Sequence, residues 1–157
     1  MKKNTRYIFM SLIVCVSVVL DILTKIIFGN IFENRTAAIV VIPDFFDFTY
    51  LKNTGAAYGM LGGHTWILIL VSLAFMIGFV IYDIFNKSES KWCLWGVSLI
   101  LGGALGNFID RIFLGYVRDF ISIKLFSFVF NLADLFTGIF TFLLIGLVLF
   151  VVVKLLI

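Results

Sequence analysis

Four long apolar stretches, separated by short polar segments, constrain the fold of this chain most strongly. The sequence of 157 residues is 62% hydrophobic and only 13% charged, a composition typical of proteins that span a bilayer. A helix of about 20 residues crosses the hydrocarbon layer of ~30 Å. We therefore predict an all-α membrane fold, one domain over residues 1–157, with spanning helices at Tyr7–Phe28, Thr65–Phe85, Trp92–Phe113 and Leu132–Leu156.

The basic residues before the first apolar stretch indicate its orientation. Lys2, Lys3 and Arg6 precede this stretch, and basic residues near a span favour the cytoplasmic side. The stretch is too long for a usual cleaved signal and lacks a small-x-small site after it, so we interpret it as a signal anchor. Basic residues are equally numerous on the two sides, but the short loop with Lys87 and Lys91 carries more weight. Four spans then place both termini in the cytoplasm.

The net charge argues against nucleic-acid binding, and the few cysteines and histidines argue against a disulfide or a metal site. The net charge is only +3, and the chain has no basic cluster suited to nucleic acid. Cys15 and Cys93 lie near opposite helix halves, and His64 is the only histidine. We therefore predict neither a disulfide nor a metal site, and we interpret each cysteine as a small packed apolar side chain.

Two segments outside the predicted helices have strand patterns. Ile39–Ile42 has the composition of a short strand, Pro43-Asp44 of a turn, and Phe46–Leu51 alternates aromatic with other residues. Phe120–Ile123 is a similar run in the segment before the fourth span. We predict a small extracytoplasmic β-sheet, or cradle, formed between helices 1–2 and 3–4 and covering the nearby aspartates. Its aromatic face would suit contact with the membrane surface.

Asp119 and Asp134 are conspicuous because acidic residues are otherwise rare in the C-terminal part of the chain. A carboxylate in a spanning helix costs about 2.5–3.5 kcal/mol at the centre and less near an interface. One interpretation is two isolated interfacial acids, with Asn131 as N-cap of the fourth helix and Asp134 as a first-turn acid. The other is a dyad that shares one proton, so that one carboxylate activates water and the other polarises a carbonyl. The spacing leaves both open.

Other polar residues share faces of the predicted helices. Asp21 and Lys25 are four residues apart, which favours an ion pair at the outer helix end with Lys25 snorkelling to water, or a supporting role at a site. Asn107, Asp110 and Arg111 form one polar face on the third span. Arg111 could pair with Asp110 or hold a substrate carbonyl with its fork of donors.

Small residues predict two surfaces of close approach. Gly102 and Gly106 form a GxxxG pattern that lets a neighbouring helix come near. Gly55 and Ala56, which follow Asn53, lack bulk and would let a peptide backbone approach. Either segment is also compatible with ordinary helix packing or a simple loop.

Five motifs follow one another along these spans. They are Asp21-x-x-Thr24-Lys25, Asn53-x-Gly55-Ala56-Ala57, Gly103-Ala104-Leu105-Gly106-Asn107-x-x-Asp110-Arg111, Val117-x-Asp119-Phe120 and Phe130-Asn131-x-Ala133-Asp134. With this set, the chain resembles the bacterial lipoprotein signal peptidases, also called signal peptidase II, over nearly its whole length.

The resemblance implies an aspartic endopeptidase of the bacterial cytoplasmic membrane, with its active site near the outer face and surrounded by lipid. Its partners would be prolipoproteins with a diacylglyceryl group on a cysteine, cleaved just before that cysteine. The catalytic pair would be Asp119 and Asp134, without a cofactor, and we expect a monomer. The substrate-binding and supporting residues would be Asp21, Lys25, Asn53, Gly55, Asn107, Asp110, Arg111 and Asn131.

Two other functions remain open on the residues alone. An ion-coupled transporter also places carboxylates in apolar helices, although it more often has acids in mid-span, broken helices and an internal repeat. A structural membrane subunit is the other alternative, but it would not need so many polar residues at one depth.

Overall fold

A computed structural model describes residues 3–56, 60–86 and 91–138 of the chain. Its elements are α1 (Lys3–Phe32), β1 (Ile39–Ile42), β2 (Phe46–Asn53), α2 (Thr65–Asn86), α3 (Lys91–Leu114), β3 (Val117–Ile123) and β4 (Val129–Phe130). Residues 132–138 are also helical.

The helices agree with the predicted spans as far as the structure describes them. In the described residues, three helices are long and apolar enough to cross a membrane: Thr5–Phe32, Thr65–Phe85 and Lys91–Leu114. The first three predicted segments are thereby confirmed as apolar helices of sufficient length, and α1 continues one turn beyond the predicted end. The fourth prediction begins at the helical residues 132–138, and the rest of it lies outside the described residues.

Glycines on α3 bring the helices close together. A Cβ built on Gly102 would lie 2.6 Å from Cβ of Ser17 on α1. A Cβ on Gly106 would collide with the Asp21 carboxylate, and one on Gly103 would collide with the backbone oxygen of Ala133. The predicted close approach of a neighbouring helix is therefore confirmed. The protein's own helix α1 and the segment of Ala133 lie against these three glycines.

The four strands form one antiparallel sheet in the order β1-β2-β3-β4. β1 confirms the predicted strand residue for residue, while β2 and β3 are longer than predicted. The sequence prediction missed β4, because a strand of two residues has too few positions to show alternation. The predicted small sheet is confirmed, and it also supplies one of the two aspartates, because β3 carries Asp119.

Aromatic rings attach the sheet to the end of α1. The ring of Phe28 stacks on Phe120 with centroids 4.3 Å apart and contacts Phe48 at 4.5 Å. Tyr50 stacks on Phe32 at 6.3 Å. Two aromatic residues of β2, whose face was expected on the membrane surface, thus contact α1. These ring contacts hold the sheet against the end of α1.

Two ion pairs of the described residues do not involve the site around Asp119 and Asp134. Arg6 on α1 bonds to Asp83 on α2, and both side chains are buried. Lys124, directly after β3, lies 2.5 Å from Asp47 on β2, and its side chain is 53% exposed. The hydrogen bond from Lys124 lowers the pKa of Asp47. This second pair ties the end of β3 that is farther from Asp119.

Candidate active site

Asp119 lies on β3 with its carboxylate buried and hydrogen-bonded at both oxygens. Asn131 Nδ2 donates to Oδ1 across 2.6 Å, and Asn53 Nδ2 donates to Oδ2 across 2.9 Å. Burial, followed by the negative charge of Asp134, raises the pKa of Asp119 to about 7, against the opposing effect of these hydrogen bonds and of Lys25. Asp119 therefore titrates near neutral pH, where an acid–base group is most effective.

Asp134 lies in the first turn of the helical residues 132–138. Its backbone N–H donates to Oδ1 of Asn131 across 3.0 Å, and the backbone N–H of Asn131 donates to Oδ2 of Asp134, also across 3.0 Å. This reciprocal arrangement is a capping box. It confirms the predicted N-cap and gives the Asp134 carboxylate a fixed direction.

Asn107 on α3 joins Asp134 to the buried charges. Its Nδ2 donates to Oδ1 of Asp134 across 2.8 Å. Its Oδ1 accepts bonds from Lys25 Nζ at 2.9 Å and from Asn131 Nδ2 at 3.0 Å. The Asn107 amide is thereby held in one orientation, with its donor toward Asp134 and its acceptor toward the cation.

A cluster of buried charges supports this arrangement. Lys25 Nζ lies 2.6 Å from Oδ2 of Asp21 and 3.5 Å from Oδ2 of Asp110. The predicted ion pair of Asp21 and Lys25 is confirmed, but the snorkelling of Lys25 is wrong, because its side chain is 0% exposed. Oδ1 of Asp21 also accepts the backbone N–H of Ala133 across 2.9 Å. The cluster thus fixes the position of the segment that carries Asp134.

Asn53, Gly55 and Arg111 surround the approach to the carboxylates. Oδ1 of Asn53 accepts the backbone N–H of Gly55 across 2.9 Å, and Nη2 of Arg111 donates to the Gly55 carbonyl across 3.2 Å. The suggested pair of Asp110 and Arg111 does not form, since Asp110 binds Lys25 and Arg118 instead. Nε of Arg111 is buried without a hydrogen-bond partner among the described residues. Ala57 of the predicted motif lies outside those residues.

A cavity of about 760 Å³ connects these groups. It is lined by Asn53, Gly55, Asn107, Arg111, Asp119 and Asp134, together with further residues of the sheet and helices. Asp21, Lys25, Asp110 and Asn131 do not line it and stand behind the lining residues. All ten predicted residues are therefore brought together. In the described parts of the chain, no group of three or more His, Cys, Asp or Glu side chains is placed to hold a metal ion.

Arg118 is a member of the cluster that sequence reasoning missed. Its Nη2 donates to Oδ1 of Asp110 across 2.7 Å, and its Nε donates to Oδ2 across 3.2 Å. Burial acts to lower the pKa of Arg118, but the hydrogen bonds and charge of Asp110 outweigh it and raise this pKa. A cation directly before Asp119 was visible in the sequence, but its partner, eight residues earlier on α3, was not.

Comparison with known proteins assigns the family. The sequence model described as Signal peptidase (SPase) II matches residues 13–153. The chain belongs to the signal peptidase II family. A protein named lipoprotein signal peptidase from Desulfitobacterium hafniense is 42% identical over 114 residues, which are 72% of this chain and 74% of the relative. Another with this name, from Microcystis aeruginosa, is 38% identical over 144 residues, 88% of this chain and 89% of the relative.

Solved structures agree with this assignment. A structure described as a bacterial membrane enzyme solved by the in meso method is 32% identical to this signal peptidase II family member, with a TM-score of 0.78. The match covers 90% of this chain and 87% of the other. A second structure with the same description gives a TM-score of 0.75 at 32% identity. Together with the three apolar helices, these neighbours identify a membrane protein, and the family excludes the transporter and structural-subunit alternatives.

Proposed function

We propose that this protein is an aspartic endopeptidase that removes the signal peptide from diacylglyceryl-modified prolipoproteins by cleaving just before the lipidated cysteine. Relatives named lipoprotein signal peptidase support the substrate class. The observation that carries the chemistry is the pair of carboxylates, Asp119 and Asp134, lining one cavity and joined through Asn131.

The two carboxylates act as a coupled pair. Because two negative charges at short range disfavour each other, the pair would hold one proton between its two carboxylates. The ionised carboxylate takes a proton from water, and the resulting hydroxide attacks the scissile carbonyl carbon. The protonated carboxylate donates its hydrogen bond to the carbonyl oxygen, on which negative charge develops. The tetrahedral intermediate then collapses, the C–N bond breaks, and the leaving nitrogen receives a proton from the pair.

The polar wall of the cavity would hold the substrate backbone. Arg111 already binds the Gly55 carbonyl through Nη2, and its buried Nε has no hydrogen-bond partner in the part of the chain that the structure describes. A substrate carbonyl placed against this guanidinium would satisfy that donor, because the fork of arginine presents its N–H groups in fixed directions. Asn53 and Asn107 would orient the two carboxylates while the peptide binds beside them.

The membrane would set the depth of the reaction. We propose both termini in the cytoplasm, the sheet at the outer face of the cytoplasmic membrane, and a monomer as the active unit. The diacylglyceryl chains of the substrate would then remain among membrane lipids, with the scissile bond near the headgroups. At this depth Asp119 and Asp134 would be protected from bulk water but accessible to a lipidated substrate.

A cleavage assay in detergent tests this function. Purified protein is incubated with a diacylglyceryl-modified prolipoprotein, and loss of the signal peptide is followed by gel shift. We expect cleavage by the wild type and none by Asp119→Asn or Asp134→Asn, because an amide cannot serve as the base or share the proton.

Asp44→Asn is the matched control. Asp44 is an exposed acid in the turn between β1 and β2, with φ of 56°, a conformation that asparagine tolerates. This variant should cleave like the wild type. Cleavage by folded Asp119→Asn would refute the dyad, and equal cleavage of substrate lacking the diacylglyceryl group would refute the proposed lipid requirement.

A further inference from the structure

Arg118 lies one residue from Asp119 but on the other face of β3. Successive side chains of a strand point to opposite faces, and Arg118 lines a second cavity of about 450 Å³, whereas Asp119 lines the large one. The side chain of Arg118 is 16% exposed. Because it does not line the cavity of the two carboxylates, Arg118 has no direct contact with a peptide bound there.

Three donors of Arg118 converge on one carboxylate. Nη2 and Nε bind the two oxygens of Asp110 as a fork, and the backbone N–H of Arg118 donates to Oδ2 of Asp110 across 3.0 Å. Charge-assisted bidentate bonds fix both distance and direction. Asp110 is on the last turns of α3, so this contact fixes the start of β3 to the helix end.

The turn between α3 and β3 needs such a contact. α3 ends at Leu114, and Gly115 follows with φ of 79°, its N–H donating to the carbonyl of Arg111. A glycine of this conformation ends the helix but does not set the direction of the chain after it. The bonds from Arg118 to Asp110 supply that direction immediately before Asp119.

Asp110 also belongs to the chain of contacts that leads to Asp134. Lys25 Nζ lies 3.5 Å from Asp110 and donates to Asn107, which in turn donates to Asp134. The Asp110 carboxylate, only 1% exposed, therefore fixes both sides of the site. Arg118 connects it to the strand of Asp119, and Lys25 connects it to the partner of Asp134.

We infer that Arg118 is a positioning residue of the peptidase reaction, which sets the placement of Asp119 relative to Asp134 by clamping β3 to Asp110. The inference rests on the proposed function. Arg118 lies directly opposite another cation, Lys52, on the neighbouring strand. Like charges at such positions destabilise a sheet, so an arginine here is unfavourable for the sheet itself.

The test compares Arg118→Gln and Arg118→Lys with the wild type in the prolipoprotein cleavage assay. Glutamine keeps the backbone bond to Asp110 but loses the cationic fork, and lysine restores the charge without the fork. We expect Arg118→Gln to lower kcat at least about 10-fold, since misplacement by about 1 Å can cost about 100-fold. KM should stay within about 2-fold of the wild type, because Arg118 does not face the cavity. Arg118→Lys should recover part of kcat.

Lys124→Gln is the control of matched chemistry. It also removes a cation that ties β3 to a carboxylate, but at the other end of the strand, with Asp47. Its kcat should equal that of the wild type. Wild-type kcat in Arg118→Gln, or equal losses in Arg118→Gln and Lys124→Gln, would overturn the inference while leaving the peptidase function standing.

Amide hydrogen exchange reads the clamp without any cleavage. In Arg118→Gln, amides of residues 117–120 should exchange at least about 10-fold faster than in the wild type, with helix α1 unchanged as the internal reference. Unchanged exchange would overturn the inference even if no substrate were cleaved. A second result would also overturn the inference: faster exchange in Arg118→Gln together with no cleavage by the wild type. Arg118 would then hold the strand without any role in a peptidase reaction.

Discussion

Asn131 donates a hydrogen bond of 2.6 Å from Nδ2 to Oδ1 of Asp119, across twelve residues of sequence. The oxygen of the same amide accepts the backbone N–H of Asp134. A single side chain therefore caps a helix and joins the Asp119 carboxylate to the backbone of Asp134, while the backbone N–H of the same residue binds the Asp134 carboxylate. The oxygen of the amide serves the helix, and its nitrogen serves the site. A substitution that keeps only the acceptor can therefore separate helix stability from activity.

Asn131→Ser is expected to retain the fold and lose most activity. Serine is a good N-cap, so the contribution of the cap to the free energy of unfolding should be kept. Its side chain cannot replace the Nδ2 bond to Asp119, and leaving that buried acceptor without its donor costs about 1–3 kcal/mol. We expect kcat to fall at least about 10-fold. Asn131→Ala should lose about 1 kcal/mol more in stability. Cleavage rates and thermal unfolding in detergent check both variants, and full activity of Asn131→Ser would contradict the bridging role.

The pKa of Asp119 should respond in opposite directions to two substitutions. The charge of Asp134 raises this pKa, and the hydrogen bond from Asn53 lowers it. In Asp134→Asn the neighbouring negative charge is absent, so ionisation is easier and the pKa should fall below about 7. In Asn53→Ala the ionised form loses a donor, so the pKa should rise above about 7.

Carbon-13 NMR titration of the carboxyl groups in micelles measures these shifts, and Asp44→Asn serves as the unshifted reference. In Asn53→Ala the acid–base limb of the cleavage profile should move toward higher pH as well. A pKa of Asp119 that does not change in Asp134→Asn would show that the two carboxylates are uncoupled.

Lys25→Met is expected to destabilise the protein severely. Its cation neutralises Asp21 and Asp110, and all three side chains are buried. Removing one partner of a buried ion pair costs about 3–5 kcal/mol, because the other charge is left uncompensated. Lys124→Met is the comparison variant, because the Lys124 side chain is 53% exposed although that of its partner Asp47 is only 5% exposed. We expect a smaller loss there than in Lys25→Met, since water screens an ion pair with one exposed partner. Equal unfolding temperatures of the two variants would disprove the structural role of Lys25.

Gly106→Ala should lower stability where Gly78→Ala does not. A Cβ on Gly106 would overlap the Asp21 carboxylate, which Lys25 and the backbone of Ala133 hold in place. We expect a loss of about 1–3 kcal/mol from overpacking. Gly78 lies within α2 with nothing within 4 Å of an added Cβ, so alanine there should be neutral or stabilising by up to about 1 kcal/mol. Thermal unfolding of the pair gives the comparison.

Local patterns in the sequence were enough to predict most of the elements. The three described spanning helices follow from the length of their apolar runs, because a bilayer requires about 20 apolar residues whatever the rest of the chain does. β1 follows from its β-branched composition, and the cap at Asn131 from its position before an apolar run. The strand β4 escaped prediction because two residues show no period.

The grouping of the ten site residues was also predictable, but only through the motifs of the resemblance. Spacing alone left Asp119 and Asp134 open as isolated acids. It also suggested that Lys25 reaches water and that Arg111 pairs with Asp110, and both suggestions were wrong. Lys25 does bind Asp21 four residues away, but the partners that spacing could not show are distant in sequence: Asn107 is 82 residues from Lys25, and Gly55 is 56 residues from Arg111.

The sequence by itself determined which segments are helical and apolar, which are strands, and which polar residues had to find partners. Composition and periodicity suffice for this, because each segment must by itself present apolar side chains at the period of a helix or a strand to leave water. Only the tertiary structure decided which charges meet. The glycines of α3 let α1 and the segment of Asp134 approach until Lys25, Asp110 and Arg118 interact, and the pairing of β2 with β3 sets Asn53 beside Asp119. Such contacts depend on distances between elements in space, and the spacing of residues along the chain does not give those distances.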